Sequence, residues 1–125
     1  MKLSCKQLNL RLAHPWAIAR GGSANRTSVI AVEITDDEGV VGLGEASPIT
    51  RYAETPKTVN AFIKKLDYKA LSFCDVAKSM SIINALSPGN MAAKCALNIA
   101  LLDGTARARR LFQTCGHHSP HAGDG

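Results

Sequence analysis

The sequence predicts an α+β fold, a three-stranded antiparallel meander followed by a helical bundle. Three observations predict it. Through the first 46 residues apolar side chains alternate with polar ones or sit in β-branched runs. After Pro48 the apolar spacing changes to three and four, the period of a helix face. The connections between the extended segments are short, so strands adjacent in sequence are expected to be adjacent in the sheet.

Leu8, Leu10 and Leu12 alternate with Gln7, Asn9 and Arg11, the pattern of a half-buried strand. Proline has no amide to donate to a ladder, so His14-Pro15 is expected to end this strand. Residues 17–26, with their Gly, Ser and Asn content, read as a loop. Thr27 to Thr35 is the second strand, rich in β-formers at Val29, Ile30, Val32 and Ile34. Asp36-Asp37-Glu38-Gly39 is a hairpin turn in which Gly39 takes the positive φ. Val40 to Ala46 is the third strand.

Thr55-Pro56 reads as an N-cap followed by proline at the first helical position. The helix it starts runs to about Leu66, with Val59, Phe62, Ile63 and Leu66 on one face. A second helix starts near Asp75 and carries Val76, Met80, Ile83 and Leu86, and Ser87-Pro88-Gly89 stops it. Asn90 is expected to cap a third helix that is apolar nearly all round, from Met91 to Leu102. Such a helix is buried on most sides or packs against a further surface. The stretch Ala106 to Arg110 can extend it, and Gln113 to Gly125 reads as disordered.

Composition narrows the function classes. With 46% apolar and 20% charged residues the chain resembles an average folded domain, not a disordered one. At 125 residues it is shorter than the ~200 a (β/α)₈ barrel needs. The net charge is +5, but the basic residues are scattered and aromatics are only 5%, so nucleic acid is not an expected partner. No apolar run is long enough to span a membrane, and the first residues carry no signal-peptide pattern. Cys5, Cys74, Cys95 and Cys115 form no CxxC pair, and the expected compartment is the reducing cytoplasm. Cys5 and Cys95 sit among apolar neighbours and read as small buried hydrophobes.

Few residues point to chemistry. Gly42-Leu43-Gly44-Glu45 matches part of a dinucleotide fingerprint but lacks its third glycine and helix. Tight strand packing is the stronger explanation of the two glycines. Arg20 and Arg26 flank a Gly-Gly-Ser loop, and Arg51 follows the third strand. In a meander these loops can share one end, where two arginines make a carboxylate clamp. Composition alone favours the alternative, two solvated loop arginines. Cys115, His117, His118 and His121 contain zinc-ligand types, crowded into one tail without a second cluster to close a site. Glu33, Asp36, Asp37 and Glu38 read as solvated turn carboxylates, and Asp103 is placed to pair with Arg107 at i+4.

Several segments together resemble one family. Gly44-Glu45-Ala46-Ser47-Pro48, then Arg51-Tyr52-Ala53-Glu54-Thr55, then the helix from Asn90 to Asp103-Gly104 follow a β-meander in that order. This is similar to the N-terminal capping domain of the enolase superfamily, in its mandelate racemase/muconate lactonizing branch. The segments Trp16 to Gly21 and Arg51 to Pro56 most resemble the dipeptide epimerases, the L-Ala-D/L-Glu epimerase group. The resemblance covers residues 1–108 and implies a non-family tail over 109–125.

In that family a capping domain closes over a C-terminal modified barrel. The barrel holds three acidic Mg²⁺ ligands and two opposed lysines that move the substrate's α-proton. The capping loops supply specificity. Carried over, this points to Arg20, Gly21, Ile49, Arg51 and Tyr52 as substrate-binding residues, with Arg20 the foremost carboxylate partner. No catalytic residue, metal ligand or cofactor is expected within this chain, which reads as truncated before its barrel and inactive alone. A dipeptide is the expected small-molecule partner, and self-association through the apolar helix 90–104 is a further expectation. A free carboxylate- or peptide-binding module, or a docking subunit for a separately encoded barrel, are the alternatives.

Overall fold

The computed structural model describes residues 1–18, 22–49 and 52–112. Strands β1 (Lys2–Ile18), β2 (Gly22–Thr35) and β3 (Val41–Ala46) form one sheet in the order β1-β2-β3, antiparallel throughout. The meander is therefore as expected, but its first two strands are longer. Pairing passes through an irregularity between Arg11 and Trp16, then resumes with Trp16 opposite Ala24 and Ile18 opposite Gly22. The expected strand end at His14-Pro15 and most of the expected loop at 17–26 are thus parts of a hairpin arm. Pro15 falls inside the irregularity, where a missing amide costs no ladder bond. Beyond it the ladder is made by backbone groups, which polar residues supply as well as apolar ones.

The β2–β3 turn is tied by Asp36. Its carboxylate accepts from the amides of Glu38 at 3.0 Å and Val40 at 2.8 Å, and Gly39 takes φ +85°. Asp36 is a structural residue of the turn and not simply a solvated charge. One face of the sheet carries Ile30, Val32, Ile34 and Ala46, all fully buried, with Leu3 and Cys5 partly buried beside them. The other face carries Ser4, Lys6, Glu33 and Glu45, all exposed.

The helices cover the apolar face. Helix α1 (Pro56–Lys65) begins with a reciprocal cap: Thr55 Oγ1 accepts from Thr58 N at 3.2 Å, and Thr58 Oγ1 accepts from Thr55 N at 2.9 Å. It buries Val59, Phe62 and Ile63. A short 3₁₀ turn, Tyr68–Ala70, leads towards helix α2 (Val76–Leu86), capped by Asp75 on Lys78 N at 3.0 Å. Helix α3 (Met91–Phe112) runs unbroken past residue 108.

Helix α3 lies directly on β3. A Cβ at residue 44 would collide with the carbonyl oxygen of Ala96, and one at residue 42 with that of Ala100. The two glycines therefore serve close packing, as the stronger sequence explanation held. Ala93, Ala96, Leu97, Ala100 and Leu101 form the buried side of the helix. Its other side is not buried, which rules out burial on most sides and leaves the second expectation, a surface open to a further partner. Met91 (65%), Ile99 (44%) and Leu102 (52%) are exposed, and Cys95 is exposed rather than buried. A helix on one face of one sheet has a single side to bury, however apolar the rest is.

Candidate functional site

The connection from β3 to α1 carries two of the proposed substrate residues, Ile49 and Tyr52. Its backbone closes on itself. The Ile49 carbonyl accepts from Tyr52 N at 2.9 Å and from Glu54 N at 3.3 Å. Ala53 takes the left-handed region at φ +58°, which reverses the chain. Ile49 and Tyr52 are both more than half exposed, so this loop presents apolar and aromatic surface at the sheet's end.

Glu54 behaves differently from its neighbours. It is 9% exposed, and its Oε1 accepts from Ala92 N at 3.3 Å, in the first turn of α3. The amides of a helix's first turn lack intrahelical partners, and a carboxylate there also meets the positive end of the helix dipole. Asn90, the expected cap, contributes its carbonyl to Lys94 N at 3.0 Å. Its side-chain NH₂ instead donates to Ser87 Oγ and Pro88 O, each at 3.0 Å, with the backbone at φ +55°. The side chain that reaches the Ala92 amide thus comes from a loop 38 residues upstream, a contact with no local signal. Tyr52, Glu54, Gly89, Asn90 and Met91 line a shallow groove where the two loops meet.

Arg20, Gly21 and Arg51, and with them the expected carboxylate clamp, lie outside the described residues. The strand topology does set the roots of their loops. β3 ends opposite Ile30, and β2 continues eight residues further to Gly22, the last pair of the hairpin arm. At ~3.3 Å per residue the arm reaches roughly 26 Å beyond the end of β3. The two loops share one end of the sheet, one at the tip of the arm and the other near its root. The cluster Cys115, His117, His118 and His121 also lies outside the described residues. Among the described residues no three His, Cys, Asp or Glu side chains gather into a metal site. The expected Asp103–Arg107 pair is present at 3.2 Å.

A meander of three strands under three helices, with the β1–β2 and β3–α1 connections leaving from the same end, defines an enolase-superfamily N-terminal domain. The comparisons agree. The family model for the mandelate racemase / muconate lactonizing enzyme N-terminal domain matches residues 2–112, and the chain belongs to that family. It is 46% identical over 101 residues to an L-Ala-D/L-amino acid epimerase of Pedosphaera parvula, covering 79% of this chain and 29% of the relative. It is 36% identical over 104 residues to an L-Ala-D/L-Glu epimerase of Bacteroides thetaiotaomicron, covering 82% and 27%. Among solved structures it superposes on the substrate-liganded L-Ala-D/L-Glu epimerase of Bacillus subtilis with TM-score 0.77 at 27% identity, covering 86% and 31%. The chain spans less than a third of the length of these relatives.

Proposed function

We propose that the chain is the capping and substrate-specificity domain of a dipeptide epimerase-like enzyme. The observation that carries this is the 46% identity to an L-Ala-D/L-amino acid epimerase across 79% of the chain. The exposed loop surface of Ile49 and Tyr52, at the same end as the arm that leads to Arg20, supports it. In this reading Arg20, Gly21, Ile49, Arg51 and Tyr52 enclose the dipeptide, and arginine selects a carboxylate by two parallel hydrogen bonds. Proton movement at the α-carbon belongs to the barrel of the full-length family, as does Mg²⁺. Magnesium accompanies dipeptides in solved relatives such as the dipeptide epimerase of Cytophaga hutchinsonii. Among the described residues no three His, Cys, Asp or Glu side chains are grouped to hold the ion. In this reading the chain by itself is catalytically inert and works in the cytoplasm beside a barrel.

The test is a hybrid protein in which residues 1–112 replace the matching part of the Pedosphaera relative. The hybrid should exchange the α-proton of L-Ala-L-Glu for deuterium, and the 125-residue chain should not exceed the buffer rate. An inert hybrid that is folded, or exchange by the chain alone, would refute the reading.

The exposed side of α3 favours a second possibility, a docking subunit for a separately encoded barrel. Met91, Ile99 and Leu102 supply an apolar stripe for such a contact. Activity recovered on mixing the chain with a separately purified barrel, without covalent linkage, distinguishes it.

A further inference from the structure

We propose that Glu54 is a positioning residue, which locks the substrate-facing loop to the first turn of α3 and so sets where Ile49 and Tyr52 stand. The role in substrate binding rests on the dipeptide reading above, whereas the lock itself does not. Glu54 is held at two points. Its amide closes the loop on the Ile49 carbonyl at 3.3 Å, and its carboxylate crosses to Ala92 N at 3.3 Å. Between them and Tyr52 lies Ala53 at φ +58°, a conformation that surrounding contacts must hold in place. A carboxylate buried to 9% exposure needs a donor, and the unpaired helix amide supplies one.

The far wall of the groove is fastened to the same turn. Lys94 is 7% exposed, and its Nζ donates to Ser87 O at 2.7 Å while lying 5.9 Å from the centre of the Phe62 ring. Glu54 therefore ties one loop, and Lys94 the other, to the first turn of α3, at positions 92 and 94. Tyr52 and Met91, both 65% exposed, line the groove so formed. The Glu54 carboxylate acts on the loop through the first turn of α3 and makes no contact of its own with the sheet's hydrogen-bond ladder.

Amide hydrogen exchange on the 125-residue chain tests the lock. Glu54→Ala should speed exchange at Tyr52, residue 54 and Ala92 by about ten-fold or more, while Val32, Leu97 and Leu101 keep their protection. Glu54→Gln retains the accepting oxygen and should stay within about three-fold of wild type. Glu54→Asp keeps the charge but is one methylene too short, and should resemble Glu54→Ala. If Glu54→Ala does not fold, the Asp and Gln variants decide. Unchanged exchange at Tyr52 and residue 54, or equal acceleration throughout the core, would overturn the proposal. In the hybrid enzyme Glu54→Ala should raise KM for L-Ala-L-Glu about ten-fold with kcat within about two-fold, and Glu54→Gln should restore it. An unchanged KM in an active hybrid also overturns the positioning role. A wild-type hybrid that is inert counts against the dipeptide reading alone, and exchange then decides the lock.

Discussion

The carbonyl oxygen of Ala96 occupies the space where residue 44 would carry a Cβ, so Gly44 sets the distance between α3 and the sheet. Gly42 stands in the same relation to Ala100, one helical turn on. Gly104 repeats the device elsewhere, with the Phe73 ring in its Cβ space. The obstacle at 42 and 44 is backbone, which cannot rotate away as a side chain can.

Gly44→Ala should therefore destabilise the chain by about 1–3 kcal/mol, the range for overpacking a tight interior. Gly39→Ala meets no atom within 4 Å, but φ +85° makes it costly for a different reason, the left-handed backbone. Urea unfolding followed by circular dichroism measures both. Gly44→Ala with wild-type stability would show that α3 can lift from β3.

Asp103 joins two elements. Its Oδ2 accepts from Leu43 N at 2.9 Å, on the edge strand, and lies 3.2 Å from Arg107 Nε. The Leu43 amide bond is the more valuable of the two, because the Arg107 pair is half exposed and screened by solvent. Asp103→Ala should cost about 1–2 kcal/mol and Arg107→Ala less than about 0.5 kcal/mol. Equal losses in the two variants would assign the stability to the ion pair instead.

Met91, Ile99 and Leu102 leave an apolar stripe along α3 with no partner in this chain among the described residues. The 125-residue chain is expected to self-associate through it. Sedimentation velocity should show concentration-dependent oligomers, and the double change Ile99→Lys and Leu102→Lys should return a monomer. A wild-type chain that sediments as a monomer at all concentrations contradicts this.

Arg20 is expected to choose the substrate's charge. In the hybrid enzyme Arg20→Ala should lower kcat/KM for acidic dipeptides by roughly ten- to a hundred-fold, the loss of one or two charged hydrogen bonds. Apolar dipeptides should change by no more than about two-fold. Equal loss on both substrate types would mean that Arg20 holds the terminal carboxylate they share.

Much of this molecule is determined by residues that act on near neighbours. Thr55 and Pro56 start α1, Asp75 starts α2, and Asp36 with Gly39 makes the turn, because each cap or turn is completed within four residues. The alternation in β2 places Ile30, Val32 and Ile34 on one buried face, since the period of a strand is fixed by its backbone. The motif Arg51 to Thr55 likewise marks the loop and the family without any knowledge of its shape. Only the tertiary structure decided the length of the β1–β2 arm, which continues through Pro15 on bonds between backbone groups that side chains do not encode. It also decided that Glu54 meets Ala92 N, 38 residues away, and that Asp103 meets Leu43 N, 60 residues away. Both carboxylates seek amides left unpaired, one at a helix start and one at a sheet edge. Which amide each one finds depends on how α3 comes to rest on β3, and so on the two glycines beneath it.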